Sequence, residues 1–173
     1  VDSNIFYGIL GFNSNNQTIQ NNIIRNMAGQ GVIASSPGTG NQIVNNHFNN
    51  IPGGTTGSSP GRGISLLDNY YANISGNVMS DVRIGIQTNN FSLAGSPASI
   101  TNNTITAALT GIWHNLHYGS ATPFTVANNN ITITGDPSSV PSTGIYVTSI
   151  SNSDVNINNN VTTGGDVGIR IWN

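Results

Sequence analysis

The chain has 173 residues, 36% of them apolar, a length that suits one domain with a sizeable core. It carries four Arg and six Asp but no Lys or Glu, and the formal net charge of −2 excludes the broad basic footprint of a nucleic-acid binder. Cysteine is absent and no apolar run reaches the length of a membrane-spanning helix, so neither disulfides nor membrane insertion is expected.

In chain order, the first recognisable unit opens at Gly8-Ile9 and reaches "IQNNII" at residues 19–24. A second runs from Gly31-Val32 through "IVNNHF" at 43–48, and a third from Gly63-Ile64 through "ISGNVM" at 74–79. The fourth, fifth and sixth open at Gly85, Gly111 and Gly144 and contain "ITNNTI", "VANNNI" and "INNNVT". Gly168 begins a further strand at the end. The second polar residue of each phrase gives the series Asn22, Asn46, Asn77, Asn103, Asn129 and Asn160, with steps of 24, 31, 26, 26 and 31 residues. Two long insertions, about 51–62 and 132–143, account for the longer steps.

Each unit predicts three short strands: one after the glycine, one before the asparagine and one after it. Ile19, Ile43, Ile74, Ile100, Val126 and Ile157 share one position, and Ile24, Phe48, Met79, Ile105 and Ile131 share another. Because strand side chains alternate, each row points to one side. Helix-forming Lys and Glu are missing, and turn-forming Asn, Gly and Ser bound every piece. The expected fold is therefore all-β: a right-handed parallel β-helix spanning residues 1–173, with about six coils of three strands stacked roughly 4.8 Å apart. The repeated asparagine is expected both to take the left-handed bend and to form a ladder of amides between coils. The chain opens without Met, and its two ends fall in nearly the same phase of the repeat. Adjacent coils of a longer parent chain, or end-to-end stacking of copies, are the expected partners at those ends.

The "I-x-N-N-x-I … G-I" pattern resembles the parallel β-helix repeats of the pectin-lyase-like superfamily, with its carbohydrate-binding and sugar-hydrolase members. The resemblance covers about Phe6 to Trp172. It implies a secreted or cell-surface protein and a groove on the outer face of the glycine-anchored sheet. It does not choose among enzymes, adhesins and stalks.

On that face the row next to the core Ile or Val reads Leu10, Ile33, Ser65, Gln87, Trp113, Tyr146 and Arg170. Ser65, Gln87, Trp113, Tyr146 and Arg170 are the candidates for binding a polysaccharide or cell-surface glycan, since aromatic faces and Arg suit sugar rings and hydroxyls. The two insertions enter this sheet and are expected to rim the groove. Catalytic candidates are weaker: His114 beside Trp113, and Asp68, Asp81 and Arg83 near the third glycine strand and the asparagine bend after it. Glycoside hydrolysis needs paired carboxylates, which no spacing here enforces. The closing "GIRIWN" is similar to the Gly-Val-Arg-Ile-Lys segment of polygalacturonases, but Trp172 stands where the Lys belongs and that family's other motifs are absent. His114 and His117 are three apart without a helix to align them, so no metal or other cofactor is expected. The leading expectation is a stalk, adhesin segment or glycan-binding module; the alternative is a lyase, hydrolase or epimerase.

Overall fold

The computed structural model describes residues 6–53, 61–92, 98–118, 122–135, 141–151 and 154–172. Among them there are strands and turns and no helix. In chain order the strands are β1 (Tyr7–Phe12), β2 (Thr18–Gln20), β3 (Ile23–Arg25), β4 (Gln30–Ser35), β5 (Gly38–Val44) and β6 (His47–Ile51). They continue with β7 (Arg62–Leu66), β8 (Tyr70–Ser75), β9 (Val78–Phe91), β10 (Ser99–Thr101), β11 (Thr104–Tyr118) and β12 (Phe124–Ala127). The last are β13 (Asn130–Ile133), β14 (Thr143–Ser151), β15 (Val155–Asn158), β16 (Val161–Gly164) and β17 (Val167–Trp172).

The pairings are parallel and join a strand to its counterpart one repeat away, as in β10 against β8 and β12. The strands after each glycine form one stack: β1, β4, β7, the second half of β9, the second half of β11, β14 and β17. The strands before the asparagine form a separate six-stranded sheet, β2-β5-β8-β10-β12-β15. The strands after the asparagine form the third stack. Because β9 and β11 run on through the corner, the first and third stacks merge into one 11-stranded sheet. Parallel stacking with a repeat of this length is compatible with a β-helix-like solenoid, and each repeat supplies the crossover that other parallel sheets take from helices.

The core is built by columns. Val32, Ile64, Ile86, Ile112 and Ile145 come from the first stack, Ile43, Ile74, Ile100 and Val126 from the second, and Phe48, Met79, Ile105 and Ile131 from the third; all are buried. In each column the β-branched or long apolar side chain lies one strand spacing, about 4.8 Å, from its equivalents, so hydrophobic burial and register reinforce each other.

The asparagine corner divides its work between two residues. The left-handed backbone falls on the residue before the ladder position: Asn21, Asn45, Gly76, Asn102, Asn128 and Asn159, with φ between +52° and +66°. Gly76 shows that conformation, rather than an amide, is what this position requires. The following asparagine supplies the side-chain bonds. Nδ2 of Asn22, Asn46, Asn77 and Asn103 each donates to Oδ1 of the next, at 3.0 Å, and Asn129 donates to Asn160 at 2.8 Å. The same Oδ1 also accepts the backbone N–H of the preceding ladder asparagine. From Asn46 onward, Nδ2 also donates to a backbone carbonyl of the preceding repeat, such as Ile74 O for Asn103. The expectation that one residue both bends and bonds is corrected accordingly: Asn102 bends and Asn103 bonds.

Candidate functional site

The corner between the third and first stacks decides what faces outward. Thr110 and Trp113 are three residues apart, yet both line the same cavity. Between them Ile112 is fully buried, and a Cβ on Gly111 would run into Ile131 of the core. The chain therefore turns two successive positions inward, which only a missing side chain at 111 permits. Two outward columns flank this dip.

The first is the column read from the sequence, in register throughout: Leu10, Ile33, Ser65, Gln87, Trp113, Tyr146 and Arg170. The Trp113 and Tyr146 rings stack at 6.0 Å between centroids and 20° between planes. Arg170 Cζ lies 5.2 Å from the Tyr146 ring centre and 4.6 Å from that of Trp172. The second column supplies Ile84, Thr110 and Thr143. Together with Arg83, Leu109, Pro141 and Trp172 they enclose a cavity of about 550 Å³, a size ordinary for small-ligand sites.

Its wall is largely apolar, with donors in Arg83, Arg170, Thr110, Thr143 and the Tyr146 phenol. Thr143 Oγ1 donates to Pro141 O at 3.3 Å, and Trp113 Nε1 is buried without a partner among the described residues. The described lining residues include no carboxylate and no imidazole. Asp166 instead fixes the rim: Ser142 donates its backbone N–H (2.9 Å) and its hydroxyl (2.8 Å) to Oδ2. Those two bonds, the backbone one first, hold the Asp166 carboxyl below the usual range.

Several sequence candidates lie elsewhere. Ser65 and Gln87 share the outward column but are buried and are not among the residues that line the cavity. Alternation tells which side of the sheet they leave from and not what closes over them. His114 is wholly buried on the core side of β11, behind Trp113, and does not reach the cavity. Its position there is stabilised by two partners, Thr88 Oγ1 at 2.7 Å from Nδ1 and His117 Nδ1 at 3.0 Å from Nε2, with Phe124 stacked on the ring at 4.0 Å. Burial, then the neighbouring His117, lowers the His114 pKa to about 3. Asp68 sits in the turn after β7 with φ +51° and accepts Ser35 Oγ at 2.9 Å. Asp81 is an exposed residue with φ +54° where β9 turns the corner. Neither lines the cavity, whereas Arg83 does. Of the two insertions, Pro141 and Thr143 line the cavity, while residues 54–60 and 136–140, including Asp136, lie outside the described residues. No group of three or more potential metal ligands occurs among the described residues.

Sequence reasoning missed Thr110, Ile84 and Trp172, and reached Thr143 only as the end of the insertion at 132–143, not as a member of an outward column. Trp172 was within reach, since it lies two residues beyond Arg170 on the same face of β17. The outward direction of the other three was hidden because a strict two-residue period assigns them the wrong side. No protein-family model matches the chain, and no curated protein or solved structure matches it.

Proposed function

We propose that the chain is a right-handed parallel β-helix of about six coils, of the pectin-lyase-like kind, that acts as a secreted or surface-displayed glycan-binding module. The parallel stacks, the three strands per repeat and the asparagine ladder support the architecture. The observation that carries the function is the column Trp113, Tyr146 and Arg170 along one wall of the cavity. Its members lie about 4.8 Å apart, one strand spacing each. Aromatic faces receive the C–H faces of sugar rings, and a guanidinium held over rings keeps its N–H donors for hydroxyls. Among the described residues Arg170 engages only those rings. An enzyme acting on polysaccharide needs an acid and a base in place at the scissile bond. The described wall offers arginines and a phenol but no carboxylate or imidazole to pair with them, so binding is the better-supported reading.

The test is a glycan array on the wild type followed by affinity measurements on Trp113→Ala and Tyr146→Ala. Each substitution is expected to weaken binding about tenfold or more, the equivalent of about 1.4 kcal/mol. Undiminished binding by both variants, or a wild type that retains no glycan, would overturn the proposal.

A further inference from the structure

We propose that the interior histidine pair behind Trp113 makes the cavity acid-sensitive: protonation of His114 and His117 opens the strand that carries Trp113 and releases what the cavity holds. The release rests on reading the cavity as a binding site; the opening does not. Trp113 and His114 are consecutive in β11 and face opposite sides of it, one lining the cavity and one in the core. A motion that brings His114 to water must therefore displace Trp113 from its register with Gln87 and Tyr146.

The hydrogen-bond chain shows why the pair tolerates only the neutral state. A neutral imidazole has one donor and one acceptor nitrogen. If Thr88 donates to His114 Nδ1, then His114 Nε2–H donates to His117 Nδ1; if Thr88 accepts, the direction reverses. Both arrangements are consistent with the 2.7 and 3.0 Å separations, and both leave His117 Nε2 without a partner among the described residues. One added proton puts a cation in the core with no counter-charge. Two place N–H against N–H across the 3.0 Å contact between the rings.

The surroundings offer no relief. From β9 the pair meets Thr88 and the edge of Phe91, and from β12 the Phe124 ring. In β14 the register opposite the two histidines holds Val147 and Ile150. Neither β12 nor β14 contains a charged residue, and Asp81 and Arg83 of β9 lie in its first half, away from Thr88. The remaining titratable group of the cluster is the Tyr71 phenol of β8, whose ring packs on Phe91 at 4.4 Å.

Both histidines are lowered, His114 to about 3, chiefly by burial. In the opened strand they return to about 6.5. Below that value the open state binds more protons than the closed one, so the closed state is fully stable above about pH 6.5 and loses ground as pH falls toward 3. Each pH unit in that window favours opening about tenfold through His114, and protonation of His117 acts in the same direction.

The chain has two tryptophans, so Trp172→Phe leaves Trp113 as the sole indole reporter. Its emission and acrylamide quenching, followed from about pH 8 to 3, are expected to show a reversible exposure of Trp113 below about 6.5. His117→Gln keeps an uncharged partner for His114 and is expected to move that exposure to lower pH. Emission that does not change, or a midpoint unmoved by His117→Gln, would overturn the inference. The glycan array repeated at about pH 7.5 and 4.5 should lose signal at the lower value and regain it on return. Signal kept at the lower pH while Trp113 is exposed would overturn the release step. A blank array at the higher pH would overturn the binding reading, and the Trp113 titration would still decide the opening.

Discussion

Asn103→Ala is expected to destabilise the fold by about 3–5 kcal/mol, read as a fall in the denaturant midpoint at unchanged slope. The magnitude follows from what the substitution leaves behind. Asn103 Oδ1 accepts both the backbone N–H and the Nδ2–H of Asn77, and Asn103 Nδ2 donates to Ile74 O and Asn129 Oδ1. Asn77, Asn103 and Asn129 are all at most 1% exposed, so no water replaces the lost partners. Two stranded groups, the Asn77 backbone N–H and the Ile74 carbonyl, at about 2 kcal/mol each, the middle of the usual range, give about 4 kcal/mol. Asn103→Asp should be no milder, because the carboxylate keeps the bonds from Asn77 but offers no proton to Ile74 O and faces the Asn129 oxygen. Asn102 supplies the contrast. Its φ of +57° makes Asn102→Gly nearly neutral and Asn102→Ala a loss of about 1 kcal/mol. Equal small losses at 102 and 103 would show that the ladder contributes little.

These two neighbours also show how far the sequence could be read. Position within the repeat identified the ladder residues and the core columns, because both depend on spacing, and spacing survives insertions that fall in loops. It could not divide bending from bonding, because both positions are usually Asn; only "ISGNVM", with Gly76 at the first, held the clue. The aromatic column at Trp113, Tyr146 and Arg170 was legible for the same reason as the core, since it is a register column. The rest of the cavity was not. Thr110, Thr143 and Ile84 face out because the chain breaks the two-residue period at each glycine, and alternation alone places them inside. Ser65 and Gln87 fail in the opposite way: their direction is right and their cover is invisible from a pattern. His114 stood in the sequence as a catalytic candidate beside Trp113, and strand alternation places it on the opposite, core side. That a partnered, uncharged imidazole fits there depends on Thr88, His117 and Phe124, which lie up to 26 residues away in the chain.

Gly111→Ala should be about as damaging as loss of the ladder, at about 3 kcal/mol or more, and for a purely steric reason. The glycine does not need a left-handed backbone, since it is not among the residues with positive φ. It needs empty space. A Cβ there would lie 2.6 Å from the carbonyl oxygen of Gly144 and against Cγ2 of Ile131, one a backbone atom of the next repeat and the other a packed core methyl. Relief requires Thr110–Trp113 to separate from Thr143–Tyr146, strands whose register pairs Ile112 with Ile145 and Trp113 with Tyr146. The same shift would pull apart the stacked rings, so glycan affinity should fall along with stability. Gly11→Ala is the control. Its added Cβ meets Ala34 Cβ at 3.4 Å and no backbone atom nearer than 4.0 Å, so a change within about 0.5 kcal/mol is expected there. Urea midpoints for the two variants decide the point: a Gly111 variant as stable as the Gly11 variant would mean that the corner yields, and that the glycine column is not what sets the dip between the two outward columns.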